Sequence, residues 1–173
     1  GRRLRQSFGY LEPRARRVLV RSRMTDSILY EPLYVQPGHL LRRAQQISAS
    51  IFHDEIGNLI TPMQYAVLCV VLDNPHVDQV SMAGLAAIDT STAASVATRL
   101  EEKGLLLREV DPADRRQRRL SLTRAGRDLL VEVNGGIARL HQRIFEKFSA
   151  QEEAQFMSLL EKLVHLNNHQ SRA

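Results

Sequence analysis

Four arginines stand within five positions near the middle of the chain: Arg115, Arg116, Arg118 and Arg119. Like charges this close repel one another unless a polyanion neutralises them. They follow Asp111-Pro112-Ala113-Asp114, a turn-forming run in which Asp111 or Asp114 can hold one arginine in place. Upstream lie Ser91, Thr92, Ser95, Thr98 and Arg99, small hydroxyls and one guanidinium at helical spacing. Short hydroxyl side chains let a helix sit close to base edges in the major groove of duplex DNA. Arg99 reaches either a guanine edge or a phosphate there. Arg115 is expected to enter the minor groove, with Arg116 and Arg118 beside it on the DNA. The plainer alternative for both stretches is a solvated, charged surface.

A second set of side chains suits a small anion. His39 and Arg43 are one helical turn apart, so both can point to one site. A guanidinium and an imidazole suit a carboxylate, and His53 and Tyr65 add polar tips near apolar surface. Together the four outline a ligand pocket for an aromatic acid. Surface pairing for His39 and Arg43 and a core position for Tyr65 are the competing readings. Cys69, the one cysteine, excludes an internal disulfide and a cysteine-based zinc cluster. It lies in an apolar run, which favours an inert thiol over an oxidation sensor. His165 and His169 are a turn apart but have no third ligand, so no metal site is expected.

These residues need elements to hold them. Ser81 is expected to cap a brief helix over residues 81–88, with Met82, Leu85 and Ala86 inward. Asp89-Thr90 is then the turn. Ser91 caps a second helix to Lys103, with Ala94, Val96, Ala97 and Leu100 inward and Gly104 at its end. Two helices joined by a tight turn form the helix-turn-helix layout. Residues 105–110 and 118–123 read as two short strands, the second alternating, with the arginine-rich tip between them.

Around this module lie helical stretches. Residues 39–56 carry Leu40, Leu41, Ala44, Ile47, Ile51 and Phe52 on one face, and Gly57-Asn58 ends the helix. Thr61-Pro62 starts another, apolar almost all the way round, as a central helix is. Thr123 caps a long helix over residues 124–148, with Gly135-Gly136 expected to bend it. Ser149 and Glu152 form a capping box for the last helix. Phe156, Leu159, Leu160, Leu163, Val164 and Leu166 make its buried face. The fold class is mainly α with a small β-wing: a winged helix-turn-helix domain plus a helical dimerisation region.

Of the chain's 24 basic and 19 acidic residues, residues 1–23 hold eight arginines and one acid. That leaves a near-neutral body, so its positive charge is local to the hairpin, a sharper nucleic-acid signal than overall charge. Residues 1–23 are read as a basic leader outside the fold, vector-derived or disordered, with a phosphate-touching arm as the alternative. No apolar run approaches the ~20 residues of a membrane span. With a lone thiol, a cytoplasmic location is expected. There is no glycine-rich phosphate loop, nucleophile elbow or HExxH, so neither an enzyme nor a cofactor is expected.

ITPMQYAVL (Ile60 to Leu68), LEEKGLL (Leu100 to Leu106) and DPADRRQRRLSLTRAG (Asp111 to Gly126), in this helix order, resemble the MarR family of transcriptional regulators. The resemblance covers roughly residues 38–168. Arg116 stands where many members carry Asp, which makes the wing tip more basic. The resemblance implies a homodimer, each subunit placing one winged helix on half of a palindromic double-stranded DNA operator. It implies repression relieved by a small aromatic acid effector. PGHLLRRAQQI (Pro37 to Ile47) is similar to members governing aromatic and N-heteroaromatic acid degradation, including the nicotinate pathway. On this reading residues 24–60 form an N-terminal arm and first dimerisation helix. Residues 61–123 form the DNA-binding domain and 124–173 the C-terminal dimerisation helices. An architectural DNA-binding protein without effector and a thiol-based oxidation-sensing regulator are the alternatives.

Overall fold

A computed structural model describes residues 32–112, 114 and 117–167. A 3-10 turn, Leu33–Val35, precedes α1 (Pro37–Ile56). There follow α2 (Pro62–Asp73), β1 (Val77–Asp78), α3 (Gln79–Leu85), α4 (Thr90–Glu102), β2 (Leu106–Val110), β3 (Arg118–Leu122), α5 (Arg124–Phe145) and α6 (Ala150–Asn167). Helices dominate, and the three strands form one antiparallel sheet in the order β1-β3-β2. The proposed leader, residues 1–23, lies outside the described residues. Two compact units divide between Gln46 and Ile47, within α1. In the first, Tyr34 meets His39 edge-on, with ring centroids 5.4 Å apart.

In the second unit the helix-turn-helix is set by two aspartates. Asp78 accepts from the amides of Val80 and Ser81, both at 2.9 Å, and from the Ser81 hydroxyl at 2.6 Å. Asp89 caps α4 in the same way, accepting from the Thr92 amide at 2.8 Å. The expected caps, Ser81 and Ser91, are therefore corrected to Asp78 and Asp89. A carboxylate is the stronger acceptor for a helix's free amides, and it takes the serine hydroxyls as additional donors. The turn also moves upstream. It runs through Ala87, whose φ of 53° is left-handed, and closes by the Ile88 amide donating to the Ala83 carbonyl.

Four other sequence features hold. Thr61 and Gln64 make a reciprocal capping box at α2. Gly57 and Gly104 end α1 and α4 with φ of 68° each. Thr123 caps α5 by accepting from Gly126. Ser149 and Glu152 cap α6 reciprocally. The wing strands are in register as Leu106↔Leu122 through Val110↔Arg118. Leu120 and Leu122 turn into the core, while Arg119 and Ser121 stay partly exposed. β1 has no sequence signal. Its two residues are extended because they pair with Leu120 and Arg119 of β3.

The core lies where α2, α3, α4 and the wing meet. Val67, Leu68, Val71, Met82, Leu100, Leu106 and Leu120 are its largest fully buried side chains. Truncating one such leucine to Ala costs about 2–5 kcal/mol. On α3 Met82 and Ala83 are buried, but Leu85, expected inward, is exposed. On α4 Ala93, not Ala94, joins Val96, Ala97 and Leu100 inside. α2 is less enclosed than its composition suggests, since Met63 and Leu72 reach solvent.

α5 runs unbroken through Gly135-Gly136. The bend expected there gives way to a packing role. A Cβ on Gly136 would lie 2.5 Å from Ile56 Cδ1 and 3.0 Å from the Glu55 carbonyl oxygen, so the residue lets α5 approach the end of α1. Arg139 and Arg143 then close on the same turn. Arg139 Nε donates to Glu55 at 2.7 Å, and Arg143 donates to Glu55 at 2.9 Å and to Asp54 at 3.0 Å. Along α6, Leu159, Leu163, Val164 and Leu166, expected to be buried, are exposed, and Leu160 is half-buried. Among the described residues their apolar stripe stays exposed. Phe156, also expected to be buried, is exposed too, although its ring meets Phe145 and Phe148 edge-on.

Candidate nucleic-acid interface

α4 has two unlike sides. Ala93, Val96, Ala97 and Leu100 are buried, while Ser91, Ser95, Thr98 and Arg99 are exposed and Thr92 is half-buried at the edge. The outward residues are spaced four and three apart, one stripe of the helix. All five predicted α4 positions therefore share one surface.

Three of the hydroxyls on that stripe, those of Ser91, Thr92 and Thr98, are held by partners. Ser91 Oγ and Thr92 Oγ1 both donate to the Asp89 carboxylate, at 2.5 Å each. These bonds hold the Asp89 carboxyl well below the usual carboxylate range. At the other end Arg108 of β2 donates from Nη1 to Thr98 Oγ1 at 2.7 Å. Its Nε faces Glu101 at 3.6 Å. Arg108 was not among the predicted site residues. It reads as an ordinary strand residue, and only the folding of β2 beneath α4 brings it to Thr98. Ala94, Ser95, Thr98, Arg99 and Arg108 line a shallow hollow of about 370 Å³.

The wing supplies the adjoining surface. Arg118 is exposed at the start of β3 and borders a hollow of about 440 Å³ with Asp78, Gln79, Val80 and Gln117. Arg119, by contrast, donates from Nε to Asp111 at 2.7 Å. Asp111, one of the two aspartates offered for this role, takes it, and Asp114 accepts a hydrogen bond from the Gln117 side chain. Arg115 and Arg116 lie outside the described residues.

The predicted pocket residues fall in different places. His39 and Arg43 belong to the first unit, where His39 Nδ1 faces Arg42 Nη2 at 3.5 Å. His53 lines a cavity of about 460 Å³ with Phe52, Ile60, Pro62, Arg99 and Lys103. Tyr65 instead packs against Phe52, with ring centroids 6.0 Å apart. Its phenol is pushed up to about 12 by burial and by its hydrogen bond with Cys69. Burial also pushes the Cys69 thiol up, which disfavours the thiolate that oxidation chemistry uses. Among the described residues no group of three or more His, Cys, Asp or Glu is placed to hold a metal ion.

A capped helix-turn-helix, a partly exposed polar stripe on its second helix and a three-stranded wing define a winged helix-turn-helix transcriptional regulator. Similarity to known proteins narrows the class. The MarR family model matches residues 60–117. The transcriptional regulator HosA of Escherichia coli O111:H- is 32% identical over 127 residues, 73% of this chain and 93% of HosA. The chain belongs to the MarR family. The PcaV regulator of Streptomyces coelicolor, in a complex with its natural ligand, superposes with a TM-score of 0.74 at 33% identity, over 79% of this chain and 96% of PcaV. BpsR of Bordetella bronchiseptica, whose DNA binding is regulated by 6-hydroxynicotinic acid, gives 0.69 at 35% identity, over 73% of this chain and 96% of that one. Among the described residues no single helix is long and apolar enough to cross a membrane.

Proposed function

We propose that this chain is a cytoplasmic, non-enzymatic repressor that binds a palindromic operator as a homodimer and is released by a small aromatic carboxylic acid. The observation that carries the DNA contact is the sided α4, apolar inward and hydroxyl-bearing outward, next to the wing. Ser91, Thr92, Ser95, Thr98 and Arg99 lie in the major groove, and Arg118 with Arg115 and Arg116 grips phosphates and the minor groove. Anisotropy titration of a duplex selected from a random pool tests this. Arg99→Ala is expected to weaken binding by about 1–3 kcal/mol with folding unchanged. Affinity should fall steeply with salt. Equal affinity for selected and scrambled duplexes would instead favour an architectural protein.

Support for the effector comes from two sides. PcaV is a similar protein seen in complex with its natural ligand, and BpsR is one whose DNA binding is regulated by an aromatic acid, 6-hydroxynicotinic acid. His53 lines a cavity of mixed polar and apolar walls, with Arg99, Lys103 and Glu102 among them, so an acid held there on the Arg99 guanidinium draws it away from DNA. His39, Arg43 and Tyr65 are the other residues proposed for acid binding. 6-hydroxynicotinate and benzoate are suitable probes. A ligand that binds the folded protein raises its melting temperature and lowers operator affinity. Undiminished acid affinity of Arg43→Ala by calorimetry removes Arg43 from the site.

A further inference from the structure

Hydroxyls are ordinarily ambivalent: each has one hydrogen to donate and lone pairs to accept. On α4 the structure removes that freedom at both ends. An ionised carboxylate only accepts, so Ser91 and Thr92 spend their hydrogens on Asp89. Their oxygens keep lone pairs alone for a ligand. A guanidinium only donates, so Thr98 Oγ1 accepts from Arg108 and its own hydrogen is left over. Ser95, between them on the same stripe, makes no side-chain hydrogen bond to the described residues and stays ambivalent. The stripe therefore runs from an accepting end at Ser91 and Thr92 to a donating end at Thr98 and Arg99.

Major-groove base edges carry the complementary groups. Adenine N6 and cytosine N4 donate, while guanine N7 and O6, adenine N7 and thymine O4 accept. Phosphates only accept, and the Asp89 charge repels them. We propose that Asp89 and Arg108 are specificity-determining positioning residues. Asp89 makes Ser91 and Thr92 readers of base amino groups, and Arg108 makes Thr98 a donor to purine N7 or to phosphate. This rests on α4 being the groove helix, and it deepens that reading by naming the base groups at each end. Neither role is visible in residue type, because serine and threonine alone permit either polarity.

The experiment deletes single base groups. An operator duplex selected by the wild-type protein is resynthesised with purine for each adenine or 2-pyrimidinone for each cytosine, which removes one amino group. In a second series 7-deazaguanine or 7-deazaadenine removes one N7. Each duplex is titrated against wild type, Asp89→Asn, Ser91→Ala and Arg108→Met. Asparagine remains a good helix cap, so Asp89→Asn keeps α4, which circular dichroism and melting temperature verify. The wild type is expected to lose roughly three- to tenfold in affinity at one or two amino deletions. In Ser91→Ala the penalty read by Ser91 should vanish. In Asp89→Asn the Oδ1 oxygen still caps α4 and takes the Ser91 hydrogen, while Nδ2 stands where Thr92 donated, so the penalty read by Thr92 should vanish. Affinity of Asp89→Asn for scrambled DNA should rise, since a negative charge is gone. In Arg108→Met the amino penalties should persist while an N7 penalty disappears. An amino penalty that survives in both Asp89→Asn and Ser91→Ala, or the absence of any amino penalty from the wild type, would overturn the proposal. A wild type that binds no duplex would overturn the groove reading itself, and with it this inference.

Discussion

Asp111 and Arg119 form the wing's internal ion pair, with the carboxylate largely buried and the guanidinium about two-fifths exposed. Solvent screening at the arginine limits its worth, so Asp111→Ala is expected to cost about 1 kcal/mol. That corresponds to a fall of roughly 2–4 °C in Tm for a chain of this size, readable by calorimetry with the dimer intact. Glu55 behaves differently. Hydrogen bonds from Arg139, then from Arg143, hold its carboxyl below the usual glutamate range. Its folded pKa lies below the unfolded value, so its contribution is complete above about pH 4.3, the ordinary glutamate pKa. It is lost as pH falls through the folded value. Glu55→Gln should therefore melt below wild type at neutral pH, with the two curves converging in acid. A constant gap at all pH values would mean that Glu55 acts by shape, not by charge. At this scale the sequence marked the hydroxyls, Arg99 and the arginine cluster, and it offered Asp111 or Asp114 as the anchor. It could not mark Arg108, whose partner Thr98 sits on a different element.

At the scale of elements, adjacent glycines in α5 make opposite predictions. Gly135 faces open space apart from Arg139 Nη1 at 3.6 Å, so Gly135→Ala should stabilise by about 0.5–1 kcal/mol through helix propensity. Gly136→Ala pushes a Cβ into Ile56 and the Glu55 backbone, and should destabilise by about 1–3 kcal/mol. Chemical denaturation of the two variants checks this. If both stabilise, the pair is a flexible joint after all. Gly126 is tighter still, since a Cβ there would lie 2.2 Å from the Leu105 carbonyl oxygen. Its Ala variant should misplace the wing. Helix periods and most boundaries were legible because caps and spacings are local. The two aspartate caps were overlooked in favour of nearby serines, although Asp three residues before Ser or Thr carries the signal. β1 was not legible, because two residues become a strand only by pairing with β3.

For the whole molecule, the exposed stripe of α6 matters most. Leu159, Val164 and Leu166 are all more than half exposed in the single chain. A soluble protein rarely leaves so many large apolar side chains together without a partner. A second copy is the proposed cover. Leu163→Glu should shift the protein to monomer in sedimentation and weaken operator binding, because two half-sites are no longer gripped together. Its circular dichroism should be unchanged. A variant that remains dimeric would move the interface elsewhere. By itself the sequence determined the number and kind of helices, the place of the wing, the hydroxyl stripe and the local basic charge. All of these are written in neighbours a few residues apart. The tertiary structure decided which face of each helix is covered, why Gly136 is glycine, and how the α4 hydroxyls are polarised. Arg139 and Arg143 reach Glu55 across 84 and 88 residues, and no local pattern records such a meeting. Burial and partner choice are long-range properties, fixed only when the chain has closed upon itself.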